Sequence, residues 1–223
     1  MLLEIPDLLN SAQLDKIHEL IGQAQFADGR LTAGMAASRV KNNQELAVQP
    51  ELLQRLYRIV MASVGHSETF RSAVLPAKVA DFIFARYQPG MRYGDHVDDP
   101  IMGQGPKFRT DISMTVFLTP PESYDGGELV IRTSFGDNRV KLAAGDAVIY
   151  PSSSLHHVAQ VTRGQRIVAL TWIQSQVRDP ARREILFDLA TTRDQLHAED
   201  SGSELHQRID RSYANLLRMW AEV

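Results

Sequence analysis

AGDAVIYPSSSLHHVAQVTRGQRIVALTWIQ, residues 144–174, is the stretch on which the fold turns. It sets a Gly-Asp turn before an apolar strand, then a Pro/Ser loop, a pair of histidines, and a second strand that opens on Arg166. Apolar runs this short, punctuated by Gly, Pro and Asp, read as strands. The same grammar recurs upstream in VADFIFARY (79–87), TDISMTVFL (110–118), GELVI (127–131) and RVKLAAGDAVIYP (139–151). Many short strands separated by turn signals predict a sandwich or barrel.

On either side the period becomes helical. Asn10 or Ser11 caps SAQLDKIHELIGQAQF, whose Leu14, Ile17, Leu20 and Ile21 share one face, and PELLQRLYRIVMASV follows with Leu52, Leu53, Leu56, Ile59 and Val60. Between them GRLTAGMAASRVKNN (29–43) reads as an irregular segment or an early strand. After Arg178 come DPARREILFDLATTRDQLH, with Pro180 in its first turn, and SELHQRIDRSYANLLRMWAEV. The expected plan is mainly β with flanking α: a helical and mixed support over 1–78, a β core over 79–176 and a helical region over 177–223.

The 223 residues carry 24 Lys+Arg against 27 Asp+Glu, a net charge of −3 that predicts no attraction to nucleic acid or anionic membrane. No stretch approaches a membrane span, so a cytoplasmic protein is expected. There is no cysteine, which leaves His and carboxylate as the ligands for any metal.

RYGDHVDDP (92–100) concentrates such ligands. On a strand His96 and Asp98 project to one face, while Asp95 and Asp99 turn away to solvent or to support the ligands. For a lone His-x-Asp an acidic surface turn is the better explanation, because such tripeptides are common by chance. The downstream pair adds weight: His156 or His157 completes two histidines and one carboxylate, the facial triad that holds non-haem Fe(II) with three positions open. A 2-oxo acid fills two and dioxygen the third. The far carboxylate of 2-oxoglutarate then needs a fixed cation, a bidentate task for Arg166, whereas Arg163 precedes Gly164 on a solvated turn.

These residues, with FRTD (108–111), SYDGGELVI (123–131), YPSSSLH (150–156), VTRG (161–164) and WIQS (172–175), resemble the Fe(II)- and 2-oxoglutarate-dependent dioxygenase superfamily in its prolyl/lysyl-hydroxylase-like branch. They are most similar to the bacterial PKHD-type hydroxylases associated with iron uptake, over almost the whole chain. The resemblance implies a double-stranded β-helix, or jelly roll, with Fe(2+) as cofactor and 2-oxoglutarate and O2 as co-substrates. It implies His96, Asp98 and His156 as metal ligands, since that subgroup reads Ser-Leu-His, a variable residue, then Val, and it implies Arg166 as the carboxylate anchor. Tyr87, Ser113, Thr115 and Thr171 are candidates to line the pocket, and Phe117 stands where related prolyl hydroxylases can carry a tyrosine. The implied reaction is hydroxylation of a siderophore-like small molecule or a prolyl or lysyl residue, with release of succinate and CO2.

Two other functions compete: a cupin-like module that binds metal or ligand without oxidative turnover, and a zinc hydrolase using Asp95 or Asp99 as base. Gly126 and Gly127 read as a turn between strands. Tyr93, Arg92 and Arg109 can shape access to the metal or simply end strands. Arg182 and Arg183 read as solvated, and His18, His66, His197 and His206 receive no role. Leu186, Leu189, Leu216, Leu217 and Trp220 would pack on the β core or on a second copy in a homodimer.

Overall fold

In the computed structural model, which describes residues 1–32, 34, 37–103 and 105–222, antiparallel strands form two principal sheets. The larger runs β1 (Leu3–Ile5), β13 (Ala147–Pro151), β10 (Ile112–Phe117), β15 (Arg166–Ser175), β6 (Ile83–Tyr87), β4 (Gln44–Leu46) and β2 (Phe26–Asp28), with β5 (Pro76–Val79) also paired to β15. The smaller runs β12 (Gly136–Val140), β11 (Leu129–Thr133), β14 (His156–Val158), β7 (Arg92–His96) and β3 (Lys41–Asn42). A small hairpin, β8 (Ile101–Met102) and β9 (Phe108–Arg109), stands apart. The result is the jelly roll that the family resemblance implied, within the sandwich-or-barrel class expected from the strand grammar. Within the 29–43 stretch, Gly29–Thr32 and Ala37–Arg39 are short 3-10 turns ahead of β3, and Ala33, Met35 and Ala36 lie outside the described residues.

Strand alternation divides the interior. On β10, Ile112, Met114 and Val116 face the helices, while Phe117 faces the second sheet, packing with Leu129, Ile131 and Val158. All six residues of β10 are therefore buried, because the sheet is covered on both sides. The cover is α1 (Ser11–Gly22), α2 (Pro50–His66) and α3 (Glu68–Val74), which contribute Ile17, Leu20, Leu56, Val60 and Phe70 to the same core. Asn10 starts α1 through a capping box with Gln13, satisfying amides the helix itself leaves open.

The C-terminal helices α4 (Pro180–Asp200) and α5 (Glu204–Trp220) form a hairpin whose Leu186 packs with Leu75 and Val177, edged by Tyr213, Leu216 and Trp220. They seal the end of β15. Arg183 departs from the sequence reading: it is buried, and its Nη1 donates to Val177 O (2.7 Å) and Arg178 O (2.8 Å). The carbonyls at the turn into α4 would otherwise lack partners, which is why an arginine is drawn inside. Arg182 stays half-exposed over the Trp220 ring. No described helix is long and apolar enough to cross a membrane.

Candidate functional site

His156 opens β14 directly opposite His96, the last residue of β7, and their rings lie 4.2 Å apart. The chain has left the strand by Asp98, so a loop, not strand alternation, returns its carboxylate to the pair. Its oxygens lie 4.0 Å from His96 Nε2 and 3.9 Å from His156 Nε2. One ligand atom from each residue falls within 4.8 Å of the others.

Backbone carbonyls set the direction of both rings. His96 Nδ1 meets Gly94 O at 2.8 Å and His156 Nδ1 meets Ser154 O at 2.9 Å. Donation from Nδ1 places the Nε2 lone pairs in the cluster, the form in which imidazole ligates metal. Burial, reinforced by neighbouring His156, pushes the His96 pKa down to about 4, keeping its ring neutral. Tyr93 stacks on His96 at 3.7 Å and holds the ring plane. The Ser113 hydroxyl donates to Asp98 Oδ2, and Ser152 lies 2.8 Å behind Ser113.

His157 turns to the opposite face, where its Nδ1 meets Asp95 at 2.9 Å and Arg132 holds the same carboxylate at 2.7 Å. Asp95 therefore supports none of the cluster. Asp99 is exposed, and its backbone carbonyl accepts from Thr110 Oγ1. Asp95, turned to the outer face, is not placed to act as a hydrolase's base at this cluster, whereas Asp99 borders a cavity with His96 and Asp98. Arg109 is likewise occupied elsewhere, by Asp111 (2.6 Å) and Glu222 (3.1 Å). Arg163 is exposed and paired with Asp125.

Arg166 is 1% exposed, yet among the described residues its side chain makes no ion pair or well-formed hydrogen bond, its Nε is unpartnered, and the neighbouring Tyr124 hydroxyl likewise lacks a partner. Its guanidinium carbon sits 5.1 Å from the Tyr87 ring and 5.5 Å from that of Phe117. It lines a cavity with His96, Asp98, His156, Ser113 and Thr115. Thr171 also borders the cavity but donates its hydroxyl to Ala80 O at 2.8 Å. The two glycines serve close approach as well as turning. Gly127 has φ +68, and a Cβ there would meet Arg166 Cδ at 3.1 Å; at Gly126 one would meet Gln160 O at 2.0 Å.

A buried cation without a counter-ion is costly unless an anion arrives, and two neutral imidazoles with one carboxylate suit a divalent metal while leaving positions open. This donor set and the orphaned guanidinium fit a metal with an anionic co-substrate. Ser113 and Ser152 escaped sequence reasoning as supports of Asp98, because nothing local relates them across 39 residues of chain.

The chain matches the 2OG-Fe(II) oxygenase superfamily over residues 82–174 and the PKHD-type hydroxylase C-terminal domain over 180–222. A PKHD-type hydroxylase of Thioalkalivibrio sulfidiphilus is 50% identical over 224 residues, with all of both chains covered. One of Synechococcus elongatus is 43% identical over 223 residues, again with full coverage of both. A prolyl hydroxylase of Trichoplax adhaerens, solved with a hypoxia inducible factor oxygen degradation domain peptide fragment, superposes with a TM-score of 0.56 at 14% identity, over 77% of this chain and 82% of that one, a likeness of fold. The chain belongs to the PKHD-type hydroxylase family of the 2OG-Fe(II) oxygenase superfamily, and is a dioxygenase that uses Fe(2+), 2-oxoglutarate and O2.

Proposed function

We propose that His96, Asp98 and His156 are the iron ligands and that Arg166 anchors the distal carboxylate of 2-oxoglutarate. The observation that carries this reading is the buried, unpaired Arg166 in the same cavity as the His/Asp/His cluster. The reaction converts substrate C–H, 2-oxoglutarate and O2 into substrate C–OH, succinate and CO2. Bound iron supplies the site at which dioxygen is activated by oxidation of the co-substrate. The chain's own part is positional. Arg166 holds one end of the diacid, Tyr87 and Phe117 keep water from the guanidinium, and Ser113 holds Asp98 in its ligating orientation.

The roll over 79–176 is the catalytic unit in this reading, braced by residues 1–78, whose short strands extend both sheets, and by the helices of 177–223. The family acts on small-molecule or peptide substrates. Dependence on a central metabolite favours the cytoplasm as the place of action. Exposed Leu205 and Met219 on α5 favour the C-terminal helices as the face of a homodimer.

Anaerobic addition of Fe(II) and 2-oxoglutarate tests the assignment. A visible metal-to-ligand charge-transfer band that bleaches with oxygen is expected, and it should vanish in His156→Ala but persist in His157→Ala. A folded protein with no band, or a band lost with His157 alone, would refute the assignment.

A further inference from the structure

A groove over β3, β7 and β14, beside the turns at Gly29–Thr32 and Ala37–Arg39, collects positive charge. Arg30, Arg39, Lys41, Arg92 and His157 line it, and among the described residues no Asp or Glu does. In a chain whose acids outnumber its lysines and arginines, 27 to 24, that is a local reversal of sign. A recess lined by one sign of charge focuses the field and concentrates ions of the other sign.

Three of the five side chains are already matched. Arg30 is paired with Asp28, Lys41 turns inward to Glu45 at 2.5 Å, and His157 meets Asp95 at 2.9 Å. Arg39 and Arg92 differ: both are exposed, and among the described residues neither guanidinium has a hydrogen bond or an ion pair. The backbone sets them over one groove. Gly94 N donates to Val40 O at 2.9 Å, and a Cβ at Gly94 would meet Val40 Cβ at 2.9 Å, so glycine lets the segment carrying Arg39 lie close against β7. Arg92, two residues before Gly94, is paired in register with Asn42 of β3. Tyr93 and Val158 line this groove and the cavity of the His/Asp/His cluster alike, so the two share a wall, but Arg166 does not reach the groove.

We propose that this groove is a second anion site, separate from the one at Arg166, and that it takes a small organic polyanion whose carboxylate or phosphate groups meet Arg39 and Arg92 together. Guanidinium forks bind either group bidentately. Two unmatched positive charges are balanced by a ligand carrying at least two negative ones. Neither metal ligation nor the Arg166 anchor uses these arginines.

The test uses Zn(II)-substituted protein in the presence of 2-oxoglutarate, titrated with propane-1,2,3-tricarboxylate, fructose 1,6-bisphosphate or, as an uncharged control, glycerol. Calorimetry and the side-chain Nε–H resonances of 15N-labelled arginine read the binding. At least one polyanion should bind, glycerol should not, and the Arg39 and Arg92 resonances should move while that of Arg163 stays. Preference for the tricarboxylate identifies a polycarboxylate ligand, and preference for the bisphosphate a phosphoester. Arg39→Gln and Arg92→Gln should each weaken polyanion binding about tenfold and leave 2-oxoglutarate affinity unchanged, and added salt should weaken it in the native protein. The resonance shifts need no variant, so they decide the matter even where a variant fails to fold. No binding of either polyanion, shifts confined to other arginines, or native polyanion affinity in both folded glutamine variants overturns the inference.

Discussion

Replacing Arg166 by Met should make the protein more stable and less able to bind its co-substrate. The guanidinium is 1% exposed with no anionic partner, so the metal-free fold carries a desolvation cost of several kcal/mol. The Tyr87 and Phe117 rings, 5.1 and 5.5 Å away, return about 1–3 kcal/mol of this. Methionine fills much of the same volume without charge, so a net gain of about 1–3 kcal/mol is expected. For a chain of 223 residues each kcal/mol moves Tm by about 2–4 °C, so the metal-free variant should melt roughly 2–12 °C higher. The same change removes two charge-assisted hydrogen bonds of about 1.5–3 kcal/mol each to the co-substrate, a loss of roughly 10²–10⁴ in affinity. Differential scanning calorimetry of the metal-free protein and isothermal titration of 2-oxoglutarate into the Zn(II) form read the two effects. A lower Tm together with 2-oxoglutarate affinity within about threefold of the native value would refute the reasoning.

Ser113→Ala should weaken Fe(II) binding about 10–100-fold, because Asp98 loses the donor that orients it; equilibrium dialysis showing native affinity would contradict that role. Burial raises the Tyr87 pKa to about 12, above its unfolded value of about 10. Its contribution to stability is thus fully present below pH ~10 and is lost as pH rises from ~10 through ~12, so Tyr87→Phe should flatten the alkaline limb of the stability profile, measured by urea midpoints. Arg183→Leu should cost about 1–3 kcal/mol in a urea melt by stranding the Val177 and Arg178 carbonyls, and a neutral result would show that water replaces the guanidinium.

The succession of short apolar runs between turns made a β sandwich or barrel legible in the chain, because strand period and turn chemistry are local properties, and motif likeness narrowed it to the roll. Local signals likewise mark the capped helix at Asn10 and Pro180 in the first turn of α4, whereas Asp98 meets His96 through a loop after β7 and not by the strand alternation the spacing suggests. Motif likeness carried His156 and Arg166. The choice between His156 and His157 depends on which face of β14 looks inward, and that is decided by pairing with β7 across 60 residues of chain. Asp95 likewise found His157 on the adjacent β14 and Arg132 on β11 beyond it, not the His/Asp/His cluster, because its side chain turns to the outer face of the sheet. Arg183 reads as one of two adjacent surface arginines until the turn before α4 presents carbonyls that need a donor. The inward row Lys41, Asn43, Glu45 has no alternation to betray it, since its outward neighbours Asn42 and Gln44 are polar too. Only the closing of the fold over one cavity distinguishes a polar residue facing water from one turned inward, for burial is a property of what lies opposite and local sequence does not encode it.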